Sequence, residues 1–158
     1  PESISCQGQS HYIENIEDIT SMTLNFPNKL FVTVKSSWLD PKKIREMTIV
    51  GTKKMIVYDD IEPVEKIKIY DKHVDAPPHY DTFAEFQYSY HYGDCYIPYI
   101  RQVEPLKLEC QHFVDCIQNN QRPLSDGWNG RKVVEILEMA DRSLSKKGIT
   151  IDLKKEAK

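Results

Sequence analysis

Reactive side chains crowd most closely at Cys110, His112 and Cys116, two thiols flanking an imidazole. Thiolate and imidazole are zinc donors. On a helix, however, residues six apart are turned by about 600°, so the two sulfurs point roughly 120° apart and a closed tetrahedral site does not form. Cys6 and Cys95 add no C-x-x-C pair. The four cysteines therefore read as small buried hydrophobes in a reduced, cytoplasmic protein. Gly127 and Gly130 make a G-x-x-G at a helix start, where free N–H groups attract anions. Asp126 stands directly before them, repels phosphate and suits an N-cap, so a capped turn is the expectation. Asp59, Asp60 and Glu62 form an acidic cluster at a turn; a divalent cation needs about six or more oxygens from convergent segments, so a solvated turn is expected. His11, His73, His79 and His91 fall on predicted edges or loops and read as surface residues, and His112 as packed or solvated beside an apolar stripe. No two of the six glycines are spaced i, i+2, so there is no G-x-G-x-x-G dinucleotide loop. No Walker loop and no Ser/His/Asp spacing is present. The residues alone supply no self-sufficient active site, and no metal site is expected.

The elements that position these groups are strands first and helices later. Alternation and turn residues predict strands over Ser3–Ser10, Asp18–Phe26, Leu30–Trp38, Lys43–Val50, Lys54–Tyr58 and Lys66–Asp71. Pro27-Asn28 and Gly51-Thr52 mark turns between them. Connections this short make neighbouring strands antiparallel. A Pro- and aromatic-rich stretch follows from His73 to Tyr99, in which Phe86, Tyr88, Tyr90 and Tyr92 fall at period two and share one face. The period then changes. Leu106, Cys110, Phe113 and Ile117 are spaced 4, 3, 4, one face of a helix that Pro105 opens and Asn119-Asn120 ends, with Phe113 expected in mid-core. After Asp126 a second helix is expected to bury Val133, Ile136, Leu137, Ala140 and Leu144, and Lys146-Lys147-Gly148 closes it. Ile149, Ile151 and Leu153 suggest a last strand. The pattern is α+β: an open, mostly antiparallel sheet with two C-terminal helices packed on one face.

Length and charge set bounds. The chain has 158 residues, 21 Lys+Arg and 24 Asp+Glu, a net charge of −3. That is one domain's worth of core with no basic field for a phosphate backbone, so nucleic-acid binding is disfavoured. Apolar runs fall far short of the roughly 18–20 residues of a membrane span, and no signal-peptide pattern opens the chain. Pro1-Glu2-Ser3-Ile4 starts abruptly in a strand-like pattern, as expected of a piece of something longer.

A set of residues in order along the chain resembles the pattern of one family. Ser37-Trp38-Leu39-Asp40-Pro41, Lys43, Arg45 and Thr48 to Met55 come first, then Asp59-Asp60 and Lys66 to Asp71. Glu104-Pro105-Leu106, Glu109-Cys110, His112-Phe113, Asp115-Cys116-Ile117, Arg122-Pro123-Leu124, Asp126-Gly127 and Asn129-Gly130 follow. Together they resemble the C-terminal domain of the Gfo/Idh/MocA oxidoreductases, glucose–fructose oxidoreductase, inositol dehydrogenase and relatives. The resemblance is nearest to the branch acting on nucleotide-linked N-acetyl sugars and their uronic acids, and it spans about residues 2–147. It implies a parent enzyme with an N-terminal Rossmann domain, absent here, that holds NAD or NADP. Residues 1–153 would be its substrate-binding and oligomerisation domain, and 154–158 a charged tail. The family's Glu-Lys-Pro and Asp-x-Gly-x-His-x-x-Asp motifs do not occur in this sequence, so no catalytic residue is carried over and the fragment alone is expected to be inactive and to bind no cofactor.

What remains are candidates for touching a sugar or nucleotide-sugar substrate. Trp38, Asp40 and Arg45 cluster where a strand ends, and the planar Arg45 fork suits a phosphate or carboxylate. Asp94, after Gly93, and Tyr99 are candidates for a pocket wall, and Glu104 for a bond to a sugar hydroxyl. The alternative for each is an ordinary turn or surface residue, and for Trp38 a place in the core. The expected setting is cytoplasmic, with self-association through an open sheet face carrying the tyrosine comb, and with no nucleic-acid or membrane partner. The competing function is a non-catalytic sheet domain serving as a scaffold for assembly or protein binding.

Overall fold

Eight strands and two helices make up the computed structural model, which describes residues 1–75 and 89–153. In chain order they are β1 (Ser3–Gln9), β2 (Ile19–Asn25), β3 (Phe31–Ser37), β4 (Glu46–Val50), β5 (Met55–Asp59), β6 (Ile67–Asp75), β7 (Ser89–Tyr96), α1 (Pro105–Gln118), α2 (Gly127–Ser145) and β8 (Ile151–Asp152). The fold is α+β. Its strands form two four-stranded sheets, β3-β2-β1-β8 and β4-β5-β6-β7, and every pairing is antiparallel. The chain divides into two compact units, residues 1–41 with 110–158, and residues 42–109.

The first unit holds the core. Even-numbered residues of β1, β2 and β3 face one way, because side chains alternate along a strand. Ile4, Cys6 and Leu24 are buried there with Ile151, and Met139 and Ala140 of α2 close over them; Met22, Phe26, Val32, Ile136 and Leu144 pack at the margin. Val32 thus lies under the helix. The Pro27-Asn28 turn forms as expected, with Asn28 left-handed at φ 62°. Ser143, fully buried, ties α2 to the sheet: its Oγ accepts from the Cys6 amide at 2.9 Å and donates to the Ile149 carbonyl at 2.6 Å. Asp126 caps α2, its carboxylate accepting from the Asn129 amide at 2.9 Å. Gly148 ends the helical turn at φ +83°, where an added Cβ would stand 2.5 Å from Gln7 Cγ.

Three expectations about burial are corrected. Phe113 is 63% exposed, and Leu106, Cys110 and Ile117 are exposed with it; Cys116 is what α1 buries. Val133 and Leu137 are exposed on α2, and Met139 and Ser143 take the buried face instead. Cys95 and Cys110 are exposed, so only Cys6 and Cys116 behave as buried thiols. On α1 the spacing identifies a stripe but carries no information about which neighbour covers it; on α2 the buried stripe is shifted round the helix; and for the cysteines residue type alone does not fix burial.

The second unit is a meander. Its register places Met47, Ile49, Ile56, Tyr58, Ile67, Ile69 and Tyr96 on one face, and Glu46, Thr48, Val57, Asp59, Lys68, Tyr70 and Cys95 on the other. Between Tyr70 and Lys72 the register with β7 shifts by one residue, so Gly93 and Asp94 together oppose Asp71, as in a β-bulge. Tyr90 and Tyr92 share a face, as period two requires, with ring centroids 6.3 Å apart and Lys72 Nζ 4.5 Å above the Tyr92 ring. Phe86, Tyr88 and His79 lie outside the described residues, as does the charged tail from 154 to 158.

Candidate functional site

Arg45 enters β4 and meets the connection that leaves β5. Its Nη1 lies 3.6 Å from Asp60 Oδ2, and its carbonyl accepts from the Asp60 amide at 2.9 Å. The Tyr58 hydroxyl donates to the same carboxylate at 2.8 Å, and Lys66 Nζ stands 3.7 Å away. The Tyr58 hydrogen bond, with the Lys66 and Arg45 charges, holds the Asp60 carboxyl below the usual carboxylate range, and the same bond raises the Tyr58 hydroxyl. Asp59 accepts from the Ile61 amide and Glu62 from the amides of Val64 and Glu65, so the acidic cluster orders its own turn. A depression of about 280 Å³ beside it is lined by Glu46, Val57, Asp59, Glu62, Glu65, Lys66, Lys68 and Tyr70. Mixed charge around an aromatic ring can hydrogen-bond a polar ligand, and the exposed Arg45 fork keeps donors beyond those facing Asp60.

The other candidates of this unit differ in how committed they are. Asp94 sits exposed in the bulge of β7, and Tyr99 is 86% exposed beyond its end. Glu104 is engaged: its carboxylate accepts from the amides of Lys107 at 2.6 Å and Leu106 at 3.3 Å, capping α1. Each oxygen so engaged keeps a second lone pair for a hydroxyl.

Trp38 and Asp40 belong to the first unit. Trp38 is 88% exposed, so it is not core, while its amide donates to the Asp18 carbonyl at 2.8 Å. Asp40 pairs with Lys35 at 3.4 Å. A shallow groove of about 450 Å³ on this unit is lined by residues of β1, β2 and β3, from Gln7 to Gln9, Ile19 to Ser21 and Thr33 to Lys35. Sequence reading missed Asp18, which accepts from the amides of His11 at 2.6 Å and Tyr12 at 3.2 Å and meets His11 Nδ1 at 2.7 Å. The His11 bond leads these in holding its carboxyl below the usual range. His112 is structural, accepting from the Leu124 amide at 3.2 Å and lying 3.6 Å from Cys116 Sγ.

Among the described residues, one group has metal-ligating atoms gathered together: Asp71, His73 and His91. The histidines were read as surface residues, which holds for His91, whereas His73 is half-buried. The available signal was Asp-x-His at period two in a strand.

The α+β order of elements finds its counterpart in a known family. Residues 2–153 match the Gfo/Idh/MocA oxidoreductase family, C-terminal alpha/beta domain. The chain belongs to that family. No curated protein matches it. Among solved structures, this Gfo/Idh/MocA domain is similar to UDP-N-acetylglucosamine 3-dehydrogenase GnnA from Acidithiobacillus ferrooxidans, with a TM-score of 0.66 and 14% identity. The match covers 90% of this chain and 40% of that one, so the chain spans well under half the length of the dehydrogenase. At that identity the likeness concerns the fold alone. Among the described residues of the Gfo/Idh/MocA domain, no helix is long and apolar enough to cross a membrane.

Proposed function

We propose that this chain is the substrate-binding and assembly domain of a cytoplasmic, NAD(P)-dependent sugar or nucleotide-sugar oxidoreductase, whose parent passes hydride between a sugar carbinol and nicotinamide. Family membership over residues 2–153 is the observation that carries the reading. A dinucleotide does not fit the described residues. Both helix N-termini, where a pyrophosphate would be drawn, are capped by carboxylates, Glu104 on α1 and Asp126 on α2, and no G-x-G-x-x-G exists. On this reading the cofactor and the transfer step belong to sequence outside this chain.

On this reading the chain contributes recognition. Arg45, buttressed by Asp60 and Tyr58, offers a planar fork to a phosphate or carboxylate. In the same unit the exposed Tyr99 ring offers an apolar face to a sugar or base, and Asp94 an acceptor for hydroxyls. Asp40 and Glu104 act by holding Lys35 and the start of α1. Calorimetric titration of the chain with UDP-N-acetylglucosamine and, separately, with NAD(H) tests this division. The sugar nucleotide is expected to bind, with a loss of about tenfold or more in Arg45→Ala from a charged contact, and NAD(H) not to bind. Saturable NAD(H) binding would overturn the division. In the parent polypeptide, Arg45→Ala should raise KM for the sugar nucleotide and leave that for NAD(P) unchanged.

A further inference from the structure

We propose that Asp71, His73 and His91 form a binding site for a divalent transition ion of the zinc class, with a coordination position left open. The site is built by register. Asp71 and His73 are two apart on β6 and point to one face, and His91 is the direct cross-strand partner of His73 on β7. The two imidazoles stack with centroids 4.5 Å apart and planes 27° from parallel. His91 Nε2 lies 3.2 Å from Asp71 Oδ2, and one donor atom from each of the three residues falls within 4.8 Å of the others.

Those distances suit a metal. Ligands about 2.0–2.2 Å from a tetrahedral zinc ion stand roughly 3.3–3.5 Å from one another. The Asp71–His91 pair already has about that spacing, and with all three donor atoms within 4.8 Å no pair needs more than about 1.4 Å of closure, within reach of imidazole side-chain rotation. The bulge makes room. Gly93 packs against the Asp71 carboxylate so closely that any Cβ there would collide with it, so the one residue type without a side chain stands where the carboxylate turns toward the imidazoles. Two imidazoles and one carboxylate favour a borderline cation over magnesium or calcium, which take oxygen. Three protein ligands leave room for water or a ligand oxygen, and the exposed His91 keeps the site in contact with solvent.

The test uses the whole 158-residue chain, stripped of metal and titrated with zinc chloride against a chromophoric chelator. One saturable equivalent is expected, weakened by about tenfold or more in His91→Gln and in Asp71→Asn. His11→Gln, which alters the other His–Asp pair, should leave the affinity unchanged. Because the register could shift in the variants, X-ray absorption of the zinc-loaded native chain gives an independent reading: two imidazoles and oxygen, with no sulfur. Absence of a saturable equivalent, an affinity indifferent to His91→Gln, or sulfur ligation through the exposed Cys95 or Cys110 would each overturn the proposal.

Discussion

Asp18 shows how much one side chain does at the start of β2. Its carboxylate collects two amide N–H groups and the His11 ring, and so fixes the chain reversal that brings β1 back into β2. The folded state holds this group below its unfolded value of about 3.9, so the native protein binds fewer protons there than the unfolded chain does. Its contribution is complete above the unfolded value and drains away as pH falls through the folded one. Urea denaturation between about pH 2 and 7 should therefore show stability falling at the acid end, and Asp18→Asn should flatten that fall while lowering the neutral plateau. A variant profile parallel to the native one would show that the other depressed carboxylates, Asp60, Asp71 and Asp126, carry the slope instead. At this scale the sequence was partly legible. Asp126 was readable as a cap because the helix pattern follows it directly. Glu104 was not, because a carboxylate three residues ahead of its amide partner looks the same whether it caps or waits for a ligand.

Elements were legible where local chemistry decides them. Asn28 and Gly51 turn the chain where their residue types permit, and the 4, 3, 4 spacing of Leu106, Cys110, Phe113 and Ile117 does make a helix. What covers a helix is a long-range fact, and there the pattern misled. Ile4, with no exposed surface, and Phe113, largely exposed, now make opposite predictions. Ile4→Ala should cost about 2–5 kcal/mol in chemical denaturation, as cavity-forming truncations do. Phe113→Ala in this chain should cost under about 1 kcal/mol, since little of its ring leaves water on folding. Equal losses would mean that the α1 stripe is covered in solution. The grouping of strands into two sheets was also beyond local reading, because the β6–β7 pairing that creates the His73–His91 neighbourhood joins segments with residues 76–88 between them.

For the molecule as a whole, the apolar face of β4 to β7 decides whether it stays alone. Met47, Ile49 and Tyr96 are exposed on it beside Ile56, Tyr58, Ile67 and Ile69. A contiguous apolar patch of this kind is uncommon on a monomer, and a two-fold face-to-face pair is the simplest closed solution. Sedimentation at about tens of micromolar should show a dimer that Ile49→Glu dissociates, by placing a charge in a desolvated interface. A monomer for both proteins would refute it. This is not the face of the tyrosine comb, where self-association was expected: Tyr90 and Tyr92 lie on the opposite face and should tolerate the same change. The placement of the core has a consequence for biosynthesis. Cys6 and its anchor Ser143 are 137 residues apart, and of the two sheets the one whose strands β1 to β3 are made earlier is completed by β8, after residues 42–109 and both helices. During translation β1, β2 and β3 therefore emerge with Ile4, Cys6 and Leu24 uncovered, and remain so while the whole of residues 42–109 is made. At about 5–20 residues per second that interval lasts several seconds. A nascent chain with an apolar sheet bare for that long is a natural client for a holding chaperone, and slowing elongation before α2 would lengthen its exposure.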